Sequence, residues 1–184
     1  TTINTTESDT LAAMPTEILS RLQPQQAKAV LERIPPEKLT AAHAAKMNDD
    51  TFKKVDADHL TALKNNTDFI NALNNDHKTR IFARVVDAGV FEPVDLDRIP
   101  ADFLAGLNDS QLGKIAPDVL AELKAYDAAT LGKNLDIARL TPVQNAALPF
   151  EFLQGLSPDK QIAHLQRLGP KKITVEHLRE GLVT

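Results

Sequence analysis

The sequence contains no cysteine and no tryptophan, a single tyrosine, and only 4% aromatic residues. Without thiols there is no disulfide, thiol nucleophile, iron–sulfur cluster or cysteine-ligated zinc. So few rings starve any platform on which bases could stack. A formal net charge of −4 argues in the same direction, because general nucleic-acid binding needs a basic footprint. The seven glycines are scattered, so no glycine-rich phosphate loop is present. No Ser/His/Asp arrangement has helpful spacing, and an enzyme is not expected. No run approaches the ~20 consecutive apolar residues of a membrane-spanning helix. The opening TTINTTESDT has no basic-then-apolar leader pattern. It is expected to be a polar, disordered lead-in over residues 1–10, and the missing initiator Met is what a piece of a longer polypeptide would show.

What is present is a repeat. The chain has 184 residues, 42% hydrophobic and 25% charged, enough to bury a core. The segment from Pro15, PTEILSRLQPQQAKAVLERIPPEKLTAAH, aligns without a gap on PFEFLQGLSPDKQIAHLQRLGPKKITVEH from Pro149, and 12 of 29 positions are identical. Chance would give roughly two or three, so internal duplication is the better reading. A smaller unit lies beneath it: an acid, an apolar residue, Leu or Ile, two variable positions, then Leu. It occurs at Glu17 to Leu22, Asp58 to Leu63 (with His59 in the apolar slot), Asp68 to Leu73, Asp102 to Leu107, Asp118 to Leu123 and Glu151 to Leu156. Apolar residues at i, i+1 and i+4 share one helical face and do not fit strand alternation. The 11 prolines act as punctuation, and Gln23-Pro24, Thr141-Pro142 and Ser157-Pro158 read as helix starts.

These patterns predict an all-α protein, a right-handed superhelix or solenoid of short helices of two to three turns each. Helices that short are marginal alone and exist by packing on neighbours. The expected organisation is a single helical-repeat domain over residues 11–184. A break near 87–100, where Pro93 and Pro100 punctuate the chain, would divide it into lobes 11–89 and 100–184. A longer helix is expected from Asp76 to Ala88, with Ile81, Phe82, Val85 and Val86 on its apolar face and Gly89 closing it. Asn65, Asn66, Asn74, Asn75 and Asp76 read as Asx turns and C-caps. Gly106 and Gly155, equivalent within the unit, are expected to allow close helix–helix approach.

The phrase LAAMPTEILSRLQPQQAKAVLERIPPEKLTAA from Leu11 resembles, in rhythm, two bacterial families. One is the cytoplasmic N-terminal domain of magnesium channels, the other the helical repeats of the flagellar motor-switch protein. Repeats of this kind are also similar to those of large secreted bacterial effectors. The resemblance implies a superhelical fold and no particular site residue.

Candidate chemistry is sparse. His43 and His177 occupy equivalent repeat positions and read as structural residues kept by duplication, since neither has a second ligand at i+4. Asp49, Asp50, Asp56, Asp58 and His59 form an acidic, histidine-bearing stretch without calcium-loop spacing, expected to be turns and caps. No catalytic, cofactor or metal-ligating residue is therefore expected. The middle of the chain is mostly acidic, and Asp95, Asp97, Asp102, Asp109, Asp118 and Glu122 are the candidate interaction surface. Such a surface would steer a basic partner protein by long-range attraction. The leading expectation is a non-enzymatic scaffold or protein-interaction module of a larger bacterial effector, surface or scaffold protein. A magnesium-responsive regulatory domain is the alternative that the channel resemblance implies.

Overall fold

The computed structural model describes residues 5–44 and 57–169. Every regular element among them is helical, with no strand. The chain divides into two compact units, residues 1–90 and 91–184.

Unit 1 begins with α1 (Thr5–Ala12), α2 (Thr16–Arg21) and α3 (Pro24–Leu31). Helix α1 corrects the expected lead-in, because residues 5–10 are helical. Its end is secured by the Ala13 N–H donating to Asp9 O, and by an ion pair from Lys38 to the Asp9 carboxylate. A short 3-10 turn η1 (Pro36–Lys38) leads to α4 (Ala41–Ala44). Then follow α5 (Ala57–Asn65), α6 (Thr67–Ala72) and α7 (Asn75–Asp87). Helix α4 packs on α6 and on α2, while α5 packs on η1, α6 and α7. In α7 the expected face, Ile81, Phe82, Val85 and Val86, is buried. Gly89 takes a φ of 72° as the Val90 N–H reaches back to Val85 O, a reversal that favours a residue without Cβ.

Unit 2 runs through η2 (Pro93–Arg98), α8 (Phe103–Gly106), α9 (Asp109–Lys114), α10 (Pro117–Ala121) and α11 (Ala125–Thr130). It continues with η3 (Ile137–Arg139), α12 (Pro142–Ala147), α13 (Phe150–Gln154) and α14 (Pro158–Leu168). Contacts here recur with a common spacing. Element η2 packs on α10, α10 on α12, α11 on α13 and η3 on α14, each on the third element after it in chain order, while α12 also packs on α14, the second after it.

The acid–apolar–Leu unit accounts for the core. Its apolar triplets Phe69/Ile70/Leu73, Phe103/Leu104/Leu107, Val119/Leu120/Leu123 and Phe152/Leu153/Leu156 are all buried, and their leading acids Asp68, Asp102, Asp118 and Glu151 are exposed. Burying three such side chains contributes about 5–9 kcal/mol, while ordering a six-residue helix costs about 6–12 kcal/mol. The two nearly cancel. No such helix stands by itself.

The helices are shorter than expected, most of one or two turns rather than two to three. Chain geometry gives the reason. The residue after each of several helices, Leu73, Leu107, Ile115, Leu140 or Leu148, is a buried C-cap in extended conformation. Burying the last apolar residue thus ends the helix that carries it. The asparagines also act differently from the expectation. Asn66 and Asn74 are N-caps, whose side chains accept from the Phe69 and His77 N–H groups at 3.1 and 2.8 Å. Gly106 and Gly155 are exposed, and a Cβ on Gly106 would meet nothing within 4 Å. Close approach belongs instead to Gly132, where a Cβ would stand 2.7 Å from Leu156 Cδ2 and 2.9 Å from Ala128 O.

Candidate functional site

Six acids were expected to share one surface, and the helix starts decide where each goes. Asp95 does not belong to it. It is 0% exposed, at the third position of η2, where its Oδ2 accepts the Glu92 N–H at 2.9 Å. Arg98 lies 3.7 Å from its other oxygen. A carboxylate out of water needs such donors and a neighbouring cation to remain tolerable. Asp95 is therefore a capping residue, and the sequence reading of it as surface is corrected.

The other five are exposed. Asp109 is engaged by Arg139, whose Nε donates to its Oδ1 at 2.8 Å. Asp102 and Asp118 sit at the starts of α8 and α10, facing solvent. Asp97 and Glu122 come together. They line one cleft of about 190 Å³ with Pro93, Val94, Leu96, Lys124 and Asp127. Asp127, only 6% exposed, repeats the Asp95 arrangement: its Oδ2 accepts the Lys124 N–H at 2.6 Å at the start of α11. Sequence reasoning missed Asp127 as a site residue. The spacing of three shared by Glu92/Asp95 and Lys124/Asp127 is the signal that could have found it.

In unit 1, a more open cleft of about 420 Å³ is lined by Glu37, Ala62, Asn65, Asn66, Thr67 and Asp68. Asn66 forms its structural edge, with Nδ2 donating to Pro36 O at 2.9 Å and Leu39 O at 2.6 Å. His43 lies nearby in sequence but inside, 2% exposed. The Thr40 N–H donates to its Nδ1 at 3.0 Å, which places the ring proton on Nε2 in the neutral form. That Nε2 is buried and has no partner among the described residues. Burial pushes the imidazole below its ordinary pKa. His43, the third residue of α4, thus caps the Thr40 N–H in the arrangement Thr40-Ala-Ala-His43. Its repeat equivalent His177 lies outside the described residues, as do Asp49, Asp50 and Asp56. Asp58 and His59 are exposed at the start of α5.

Among the described residues no group of three or more His, Asp or Glu side chains could hold a metal ion. No described helix is long and apolar enough to cross a membrane. No protein family, curated protein or solved structure matches the chain.

Proposed function

We propose that the chain is a non-enzymatic helical-repeat module in which successive short helices stack as a solenoid and present carboxylates to a basic partner protein. The observation that carries the reading is the recurrent packing in unit 2, where η2, α10, α11 and η3 each pack on the third element after them. Such a recurrence builds a quasi-one-dimensional array, in which each turn contacts mainly its neighbours and leaves an extended outer surface. Recurrence of the buried triplet in both units supports the same view. The exposed acids Asp97, Asp102, Asp118 and Glu122 supply the charge on that surface in unit 2.

The test compares two immobilised baits, the wild-type chain and a chain with Asp97, Asp102, Asp118 and Glu122 changed to lysine. Both are exposed to the same bacterial lysate at low and high salt. A protein kept by the wild type at low salt, released by salt and not kept by the reversed chain is the expected result. Identical retention by both baits would refute the acidic-surface reading.

A further inference from the structure

The cleft of unit 2 between η2 and the α10–α11 turn combines features that select one kind of occupant. Its volume, about 190 Å³, falls below the ~300–1,000 Å³ of pockets for cofactors and drug-sized ligands. One wall is apolar, formed by Pro93, Val94 and Leu96, and Val94 is left 50% exposed to water. The lining also holds three carboxylates, Asp97, Glu122 and Asp127, against the single ammonium of Lys124. Asp127 lines the cleft although it is 6% exposed, and the backbone N–H of Lys124 holds its carboxylate in place through Oδ2. A chelated metal ion does not fit, because these carboxylates are not drawn together as a group that could hold one. An apolar wall would also be idle against a hydrated ion. A long cationic side chain matches both halves, with its methylene stem on Val94 and Leu96 and its head among the carboxylates.

We propose that this cleft is the docking pocket for one lysine or arginine side chain from a basic segment of a partner protein. The proposal rests on the interaction-module reading above. It narrows that reading from a diffuse acidic surface to one pocket.

The experiment measures binding of the full chain to a fluorescent lysine-rich peptide, its arginine-rich counterpart and a glutamine-substituted version of the same length. Three variants are compared: Asp97→Asn/Glu122→Gln, Val94→Ser, and Asp102→Asn/Asp118→Asn as a control of equal charge change. All alter exposed residues, and thermal melts confirm that they fold. The cleft double variant is expected to weaken binding of the basic peptides about fivefold, as for two partly solvated ion pairs. Val94→Ser is expected to weaken it about threefold, while the control stays within about twofold and the glutamine peptide does not bind. Equal weakening by the two double variants overturns the pocket and leaves the diffuse acidic surface standing. Absence of binding by either basic peptide at low salt also overturns the pocket, and the lysate comparison then decides the broader reading independently. Spermine that competes at peptide-like concentration, with no effect of Val94→Ser, would assign the cleft to free polyamines and overturn the peptide.

Discussion

Replacing Gln144 with leucine isolates the device that joins one short helix to another. Gln144 sits in the first turn of α12 and is 2% exposed. Its Oε1 accepts the Thr141 N–H at 3.0 Å, while its Nε2 donates to Leu112 O at 2.8 Å and Ile115 O at 2.7 Å, at the end of α9. Leucine fills a similar volume and makes none of these bonds. Leu112 O keeps the Ile115 N–H as a donor at 3.1 Å, so its loss is the net value of one hydrogen bond, about 0.5–1.5 kcal/mol. Ile115 O has Gln144 as its donor, and stranding it costs about 1–3 kcal/mol. The sum is about 1.5–4.5 kcal/mol, a large share of the ~5–15 kcal/mol that holds a domain folded. Urea unfolding followed by far-UV circular dichroism should show the lowered midpoint with an unchanged slope. Gln144→Glu reverses the polarity of the inner end of the side chain. Ionised, it still accepts from Thr141 but aims a carboxylate at two carbonyl oxygens, so it should be less stable than the leucine variant. Burial and the two facing carbonyls raise the pKa of that carboxyl above its ordinary value. As pH falls it therefore protonates, donates to one carbonyl and recovers part of the loss relative to wild type, a recovery complete by about the unfolded value of 4.3. A leucine variant within about 0.5 kcal/mol of wild type, the range of an ordinary surface change, would show that these bonds do not hold α9 to α12.

Gly132→Ala should destabilise by about 1–3 kcal/mol, because the added Cβ meets the Ala128 backbone and Leu156. In the same denaturation assay Gly113→Ala, inside α9 with open space around it, should stabilise by about 0.5–1 kcal/mol. Asp109→Asn should change stability by less than about 1 kcal/mol, since the carboxylate side chain is 84% exposed. Arg139→Ala should cost more, because its guanidinium also donates to Ala105 O and Leu107 O; equal effects of the two variants would refute that division. Because burial lowers the pKa of His43, the unfolded chain takes up its proton first as pH falls. The stability this neutral ring contributes is therefore present above about pH 6.5 and is lost as pH drops through the lower folded value. His43→Gln should flatten the dependence of the urea midpoint over that window, and an unchanged pH profile would refute the assignment.

Much of the architecture was legible because it depends on spacing alone. Four of the six triplets read at i, i+1 and i+4 are buried, and α7 carries its predicted apolar face, whereas Ile18 of the first unit is 48% exposed and His59 of the second is exposed. What spacing could not tell is where a helix begins, and that decides the fate of polar residues. Asp95 and Asp97 are two positions apart and look alike in sequence, yet only Asp95 falls on the third residue after a start and is drawn inside. The same shift separates Asn66 as N-cap from its expected role at a helix end. Gly132 and Gly106 show the other limit, since close approach depends on which helices meet, and no local pattern states that.

Short helices explain the recurring inward-facing donors. A helix leaves about four carbonyls at its end without internal partners, which in a helix of four to six residues is most of its backbone. Water can serve those that are exposed, and the packed ones need donors from the protein. Several donors come from side chains far along the chain: Asn66 from 27 and 30 positions, Gln144 from 29 and 32, Arg139 from 32 and 34, Lys160 from 27 and 28, and Arg167 from 27, while Gln161 serves Leu153 O and Leu156 O from 8 and 5. In Lys160 burial against Gly132 O and Lys133 O lowers the pKa, and Asp136 partly restores it. Arg139, Lys160 and Arg167 are thus committed to carbonyl ends in unit 2, while Lys114, Lys124 and Lys133 remain exposed. Acids serve the opposite ends, where Asp95 and Asp127 are drawn inside to accept backbone N–H groups at the starts of η2 and α11. The two termini of a short helix therefore sort charge by sign, carboxylates to the N–H end and cations to the carbonyl end.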